Sequence, residues 1–216
     1  MTYLIIGAGP GIGMAVARRF GRGGFSVLLL ARAESKLQQM VAELREGGIA
    51  AQGYAADIAD AQGLRQVLNR AWQEHPDIRV LHYNASAFTL APLDQLDPAV
   101  MLEDMKVNVV GGLVAGQAAL RHWGEHKGGT LFFTGGGSGL NPSPEVAALG
   151  AGKAAMRNLV LSFAKHCAPL GIRVATVTVC GAVKPHTSLD PDLIAEEFWR
   201  LYGLPAGQWE IESVME

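Results

Sequence analysis

The sequence opens with Thr2-Tyr3-Leu4-Ile5-Ile6-Gly7-Ala8-Gly9-Pro10-Gly11-Ile12-Gly13, an apolar run that leads directly into a glycine-rich turn. The apolar run predicts a buried strand, and the following Met14–Phe20 predicts a helix. A strand, a glycine turn and a helix in this order are typical of a dinucleotide cradle. The turn lets the backbone approach the pyrophosphate, and unpaired N–H groups at the helix start face the phosphates. We therefore expect the cofactor to contact Gly7, Gly9, Pro10, Gly11, Ile12 and Gly13; a plain strand-to-helix turn is the alternative.

The rest of the chain alternates strand and helix patterns. Strands are predicted at Thr2–Ile6, Phe25–Leu30, Ala50–Ala55, Ile78–Tyr83, Gly129–Thr134 and Ile172–Val179. Helices are predicted at Gly11–Arg22, Ala33–Glu46, Asp60–His75, Pro98–Gly124, Pro144–Cys167 and Pro191–Tyr202. The strands lack polar alternation, as expected for strands that are buried on both faces. We predict an α/β fold, a single Rossmann-type domain over residues 1–216 with a doubly wound parallel sheet and helices on both faces.

Three of the helices have a start signal in the sequence. In each, a side chain that can cap the helix precedes a proline at the first helical position. The three pairs are Asp97-Pro98, Ser143-Pro144 and Asp190-Pro191.

The bulk composition narrows the classes of partner. The 216 residues carry a net charge of -2 and contain no block of lysine and arginine, so nucleic acid and anionic membranes are not expected as partners. No apolar run reaches the length of a membrane span, and no secretory signal is visible at the N-terminus. Cys167 and Cys180 are the only cysteines, which indicates a reduced, cytoplasmic protein. We predict no metal site.

Two strand ends carry residues that suit the adenosine half of a dinucleotide. Arg32 follows the second strand, where an acidic residue would bind the ribose of NAD and an arginine suits the 2′-phosphate of NADP. Ala31 offers no carboxylate, so NADP is favoured over NAD, with a solvated surface arginine as the alternative. Asp57 and Ile58 follow the third strand and could hold and flank the adenine. Asp57 could equally belong to the turn that starts the next helix.

These landmarks together resemble the short-chain dehydrogenase/reductase family. Gly7-x-x-x-Gly11-x-Gly13, Asp57-Ile58, Asn84-Ala85, Asn108 and Lys153 occur in the order and at the spacing of that family, and the resemblance extends to about Val183. It implies that Asp57 binds adenine, that Arg32 lies at the position linked to NADP preference, and that Asn84-Ala85 lines the cofactor. It further implies that Lys153 bonds the nicotinamide ribose and that Val183, after Cys180-Gly181, presents its backbone to the nicotinamide amide.

The resemblance breaks at the catalytic residues. In the family, a tyrosine phenol protonates the substrate oxygen, a lysine four residues later lowers its pKa, and a serine thirteen residues before the tyrosine orients the substrate. A phenol needs such a cation because its ordinary pKa is near ~10. Counting back from Lys153 places Leu149 at the tyrosine position and Gly136 at the serine position. The chain is thus identified as an atypical member that retains Asn108 and Lys153 as its expected catalytic residues.

Several other groups are candidates for the missing acid or serine. Tyr83, at the end of the fourth strand, could replace the tyrosine, although strand alternation turns Tyr83 and Asn84 to opposite faces. Ser138 could replace the serine if its glycine-rich loop folds back. His82 and His186 could carry protons at neutral pH, or could be a packed core residue and a solvated loop residue, respectively.

Two functions remain open at this stage. The first is an NADP(H)-dependent oxidoreductase with an altered route for the proton, acting on a small molecule such as an activated alkene or imine. The second is a catalytically silent dinucleotide-binding protein that acts as a sensor or as a partner subunit. The helices predicted at Pro98–Gly124 and Pro144–Cys167 are rich in small and apolar residues, and equivalent helices pair subunits in the family. The resemblance therefore implies a homodimer or homotetramer.

Overall fold

A computed structural model describes residues 1–124, 128–205 and 207–216. Its strands are β1 (Thr2–Ile6), β2 (Ser26–Ala31), β3 (Ala51–Ala55), β4 (Ile78–Tyr83), β5 (Gly129–Gly136), β6 (Ile172–Val179) and β7 (Glu212–Met215). Its α-helices are α1 (Ile12–Arg22), α2 (Glu34–Glu46), α3 (Ala61–Glu74), α4 (Pro98–Met105), α5 (Gly111–Trp123), α6 (Ala147–Cys167) and α7 (Pro191–Gly203).

The strands form one sheet in the order β3-β2-β1-β4-β5-β6-β7, and every neighbouring pair is parallel. The predicted α/β fold with a parallel sheet is therefore confirmed. The order runs outward in opposite directions from β1 and β4, so the loops after these two strands diverge and leave a crevice between them. In the described ranges, no helix is both long enough and apolar enough to cross a membrane.

Two apolar clusters cover the two faces of the sheet. One contains buried residues of α1, α2 and α7, and the other contains buried residues of α3, α5 and α6. Successive residues of β1 enter different clusters: Tyr3 and Ile5 join the first, while Leu4 and Ile6 join the second. Burial on both faces explains why the strands show no polar alternation.

The helix predicted at Pro98–Gly124 is interrupted. A π-helical turn at Lys106–Val110 joins α4 to α5. The turn is bonded to the end of β4, because the Tyr83 hydroxyl donates to the Val107 carbonyl and Asn108 is hydrogen-bonded to Ala87. Such widened turns recur at functional sites in helices, and the apolar pattern of the sequence does not reveal them.

Two of the three predicted helix caps are confirmed. Asp97 accepts from the N–H of Ala99 at 2.8 Å, and Asp190 accepts from the N–H of Asp192 at 2.9 Å. The prediction for Ser143-Pro144 is wrong, because α6 begins only at Ala147. The reason is tertiary: this segment pairs with the loop after β4 through the Ala91–Val146 bridge, and that pairing holds it outside the helix.

The sequence reading missed β7, the edge strand. It pairs with β6 in parallel. The Glu212 carboxylate holds it in place by accepting hydrogen bonds from Nε and one terminal nitrogen of Arg157 and from the Thr178 hydroxyl, at 2.6–3.0 Å. Four residues are too few to show a strand pattern, so this strand depends on contacts that are distant in sequence.

Candidate functional site

The glycine turn is pressed against the residue that follows Asn84. Gly7 has a φ of +87°, and a Cβ at this position would lie 2.5 Å from the backbone nitrogen of Ala85. Its N–H donates to the Leu30 carbonyl at 2.9 Å. A side chain would therefore be excluded by both conformation and space, which explains why glycine occupies this position.

The start of α1 has backbone donors that no acceptor in the described residues uses. The helix begins at Ile12 without a side-chain cap, and Met14 donates to the Gly9 carbonyl at 2.9 Å. In the described part of the chain, the N–H groups of Gly11, Ile12 and Gly13 have no acceptor. Unpaired donors at a helix start, with the helix dipole behind them, fit an anionic group such as a pyrophosphate.

Two cavities open at the carboxyl edge of the sheet. The Arg32 cavity has a volume of about 410 Å³, and its lining includes the predicted residues Gly7, Arg32, Asp57, Ile58, Asn84 and Ala85. The Lys153 cavity has a volume of about 660 Å³, and its lining includes the predicted residues Gly11, Ile12, Asn84, Lys153, Gly181 and Val183. Asn84 and Ser86 line both cavities, which therefore form one cleft across the crevice. Gly9, Pro10 and Gly13 complete the glycine turn but line neither cavity.

The Arg32 cavity has one cationic side chain in its lining. Arg32 is exposed and forms no ion pair with the described residues. Asp57 lines the same cavity and also accepts from the N–H of Ala59 at 3.0 Å. The cap of α3 is Asp60, which accepts from Gln62 and Gly63. Asp57 thus lies both in the cavity wall and in the turn before α3, whereas Asp60 caps that helix.

Lys153 lies at the floor of the larger cavity. Its Nζ donates to the main-chain carbonyl of Thr134 at 2.9 Å, and burial lowers the pKa of the amine to about 8. Leu149, one turn earlier on α6, lines the same cavity. A Cβ on Gly136 would lie 3.2 Å from Cε of Lys153. The bare backbone at Gly136 therefore gives room for the lysine side chain to lie along the end of β5.

No tyrosine lines either cavity, although the chain contains four and all of them are described. Their contacts lie elsewhere: His82 for Tyr3, Glu74 for Tyr54, the Val107 carbonyl for Tyr83 and the Phe20 ring for Tyr202. Tyr83 is 2% exposed, and burial raises the pKa of its phenol above the ordinary value. Its hydroxyl is directed at the π-helical turn, so the geometry gives no support to Tyr83 as a replacement acid.

Asn108 lies beside the cleft rather than in it. Its Oδ1 accepts from the Ala87 N–H at 2.8 Å and the Ser86 hydroxyl at 3.2 Å, and its Nδ2 donates to the Ala87 carbonyl at 3.0 Å. These bonds fix the loop after β4, which lines both cavities. A Cβ on Gly152 would lie 2.7 Å from that of Asn108. Gly152 therefore lets α6 approach this turn, and it lines neither cavity itself.

Other polar groups of the Lys153 cavity had weaker signals in the sequence. Ser138 lines the cavity, as expected if its loop folds back, and so does Asn141, which sequence reasoning missed. Phe88 was also missed; it is an exposed aromatic residue at the rim. His186 lies outside the lining on an exposed loop, and its N–H donates to Asp190. His82 is fully buried in the sheet.

Comparison with known proteins relates the chain to one family. A family model described as short chain dehydrogenase matches residues 1–195. The chain is 31% identical over 173 residues to the oxidoreductase asL5 of Sarocladium schorii, which covers 80% of this chain and 68% of that protein. It is 31% identical over 193 residues to 2-(S)-hydroxypropyl-CoM dehydrogenase 3 of Xanthobacter autotrophicus, covering 89% and 75% of the two chains. A solved metagenomic short-chain oxidoreductase in complex with NADP superposes with a TM-score of 0.91 at 26% identity, covering 99% of this chain and 96% of that one.

Proposed function

Because the chain belongs to the short-chain dehydrogenase family, we propose that it is an NADP(H)-dependent oxidoreductase that acts on a small molecule without a tyrosine acid. One observation carries the proposal. The cleft has Arg32 at one end and Lys153 at the other, and no tyrosine among its lining residues. It therefore retains the groups that bind a dinucleotide, while the usual proton donor of the family is replaced by Leu149.

The residues of the cleft fit the parts of NADP in order. The free N–H groups at the start of α1 suit the pyrophosphate, and the Arg32 guanidinium suits the 2′-phosphate. Asp57 would hold the adenine, and the Lys153 amine would bond the nicotinamide ribose. The related metagenomic oxidoreductase solved with NADP supports NADP over NAD.

The lining of the Lys153 cavity restricts the chemistry. When bound, the reduced nicotinamide supplies a hydride. Leu149 cannot donate a proton, and the Lys153 amine is engaged by the Thr134 carbonyl. Substrates that need no strong acid fit this cavity best: an iminium ion, which hydride neutralises, or a conjugated alkene, whose adduct can take its proton from water. Ser138 and Asn141 offer polar groups that would orient such a substrate.

A binding titration with NADPH and NADH, followed by NADPH consumption against panels of imines, enones and carbonyls, tests the proposal. We expect tighter binding of NADPH than of NADH, and turnover of imines or enones in preference to simple ketones. Failure to bind either dinucleotide would contradict the proposal.

The second candidate function is a catalytically silent dinucleotide-binding protein, a sensor or a partner subunit. The same alkyl side chain, Leu149, favours this function, because it lies beside Lys153 and cannot donate a proton. Tight NADPH binding without consumption across all three panels would favour it over the oxidoreductase.

We further propose a cytoplasmic homodimer or homotetramer. Val100, Leu102 and Val110 leave 39–65% of their surface exposed along α4 and the π-helical turn, an apolar stripe suited to a second copy. Both cysteines are unpaired, which is typical of a reducing compartment. Light scattering tests the assembly, and a monomer would contradict it.

A further inference from the structure

A chain of buried and partly buried hydrogen bonds made by side chains crosses three neighbouring strands and ends at the glycine turn. The Tyr3 hydroxyl meets His82 Nδ1 at 2.7 Å, and His82 Nε2 meets Thr134 Oγ1 at 2.9 Å. The Thr134 hydroxyl donates to Asn84 Oδ1 at 2.8 Å, and Asn84 Nδ2 donates to the Gly7 carbonyl at 2.9 Å. We refer to these four bonds as the Tyr3–Gly7 chain.

The direction of every bond in the chain follows from its last acceptor. The Gly7 carbonyl can only accept, so the Asn84 amide must turn its Nδ2 toward it and leave Oδ1 as an acceptor. The single hydroxyl proton of Thr134 then goes to Asn84, and Thr134 must accept from His82 Nε2–H. Burial lowers the pKa of His82 to about 3, so the imidazole is neutral and its Nδ1 accepts from Tyr3. Each donor is therefore used once, in a single direction.

The two ends of the Tyr3–Gly7 chain differ in how they are packed. At the start, Tyr3 stacks on Phe20 with ring centroids 4.4 Å apart, and His82 packs against Phe198 at 4.3 Å. At the other end, Gly7 is part of the half-buried glycine turn. The chain thus connects a densely packed aromatic core to the turn that would bind the pyrophosphate.

Thr134 also connects the turn to the opposite end of the cleft. Its hydroxyl belongs to the Tyr3–Gly7 chain, while its main-chain carbonyl accepts from Lys153 Nζ at 2.9 Å. One residue of β5 therefore contacts both the amide that fixes the glycine turn and the amine proposed to hold the ribose.

From this geometry we infer that His82 and Thr134 are positioning residues for the cofactor: they fix Asn84 and, through it, the carbonyl of Gly7. The inference rests on the proposed function for the identity of the ligand. The part that concerns the shape of the turn rests only on the hydrogen bonds described above. His82 lines neither cavity, and although Thr134 lines the Lys153 cavity, its hydroxyl donates to Asn84.

The test is Thr134→Val, which removes the hydroxyl at nearly constant shape and keeps the carbonyl that Lys153 uses. The matched control is Thr130→Val, four residues earlier on the same strand and face, where the threonine is 1% exposed and lies outside the Tyr3–Gly7 chain. We expect Thr134→Val to raise the Kd for NADPH about tenfold, and Thr130→Val to change it less than about twofold. Thr134→Ser retains the hydroxyl and should restore most of the affinity.

Amide hydrogen exchange of the protein without cofactor gives a second readout. Thr134→Val should increase exchange at residues 8–13 relative to wild type, whereas Thr130→Val should not. If Thr134→Val increased amide exchange in the turn but the wild-type protein bound no dinucleotide, the proposed function would be wrong and the positioning of the turn by Thr134 would still be supported. An unchanged Kd in folded Thr134→Val would overturn the inference and leave the proposed function standing.

Thr134→Val leaves His82 and Asn84 each without one partner, so the variant could fail to fold. In that case Tyr3→Phe replaces it, because it removes only the first donor of the chain. A Kd for NADPH raised about threefold would support the inference, since the perturbation lies farther from Gly7. A Kd equal to that of wild type would overturn it.

Discussion

The two ends of the cleft differ in the kind of group that they present: main-chain atoms at one end and side chains at the other. At the Arg32 end, the backbone at Gly7 is fixed by hydrogen bonds to Leu30 and Asn84. At the Lys153 end, one buried amine stands beside the alkyl side chain of Leu149 and the bare backbone of Gly136. Within one fold, the groups proposed to bind a dinucleotide are therefore distinct from the position at which a proton donor would lie.

The largest effect is expected from giving the Lys153 end a phenol. Leu149→Tyr places a hydroxyl one turn before Lys153, where the ammonium can stabilise a phenolate. We expect NADPH-dependent reduction of simple ketones to increase by about a hundredfold, the scale of general acid catalysis. Initial rates of NADPH consumption measure the change.

Leu149→Phe is the matched control, because it adds the ring without the hydroxyl and should remain inactive on ketones. Adding Gly136→Ser requires a slight shift of the lysine side chain, since a Cβ there lies 3.2 Å from its Cε. A folded, NADPH-binding Leu149→Tyr/Gly136→Ser variant without ketone reduction would count against the position assigned to the tyrosine.

At the other end, two glycines of the turn should respond differently. Gly7→Ala is expected to destabilise the protein by more than about 2 kcal/mol, because of its φ of +87° and its contact with Ala85. Gly9→Ala meets nothing within 4 Å, so its stability should stay within about 0.5 kcal/mol of wild type. Urea unfolding separates the two variants; equal stability losses would refute this account of the turn.

We expect the proposed preference for NADP to depend on Arg32. Arg32→Ala should raise the Kd for NADPH about tenfold to a hundredfold and leave that for NADH unchanged, since a charge-assisted bond to a phosphate contributes about 1.5–3 kcal/mol. Calorimetric titration measures both constants. Arg22→Ala removes an equal charge from the exposed end of α1 and should alter neither. A parallel loss of NADPH and NADH affinity would rule out recognition of the 2′-phosphate.

A smaller, pH-dependent effect is expected at Lys153. The pKa of its amine is lowered to about 8, so the ammonium is complete below pH 7 and is lost as the pH rises through 8. The Kd for NADPH should therefore rise about fivefold between pH 7 and pH 9, as the charge proposed to bond the ribose disappears. Fluorescence titrations at both pH values measure this rise.

Lys153→Met is the control for the pH effect. It should bind NADPH more weakly than wild type and equally at both pH values. Burial raises the pKa of the Cys180 thiol in the same cavity above its ordinary value. If Lys153→Met retained the rise in Kd, another group would be responsible.

The comparison also shows which parts were predictable from the sequence. The glycine turn, Arg32, Asp57 and Asn84 follow individual strands, so local patterns place them at one edge of the sheet. The positions of Tyr83 and Asn108 were not predictable, because both depend on a π-helical turn that only the packed helices define. The same holds for the Tyr3–Gly7 chain, whose members come from three strands and carry no common sequence signal.

The smallest predicted effect is on stability, and it distinguishes Asp97-Pro98 from Ser143-Pro144, two pairs that carry the same helix-start signal in the sequence. Asp97 caps α4, which leads into the turn that holds Asn108, so Asp97→Ala should cost about 1 kcal/mol of unfolding free energy. Ser143 precedes α6, the helix of Leu149 and Lys153, but lies in a turn outside it; its hydroxyl meets only the Glu145 N–H, at 3.4 Å. Ser143→Ala should therefore change stability by less than about 0.5 kcal/mol. Urea unfolding of both variants measures the two changes in unfolding free energy. An equal loss of stability would mean that Ser143 caps α6 and that the helix starts before Ala147.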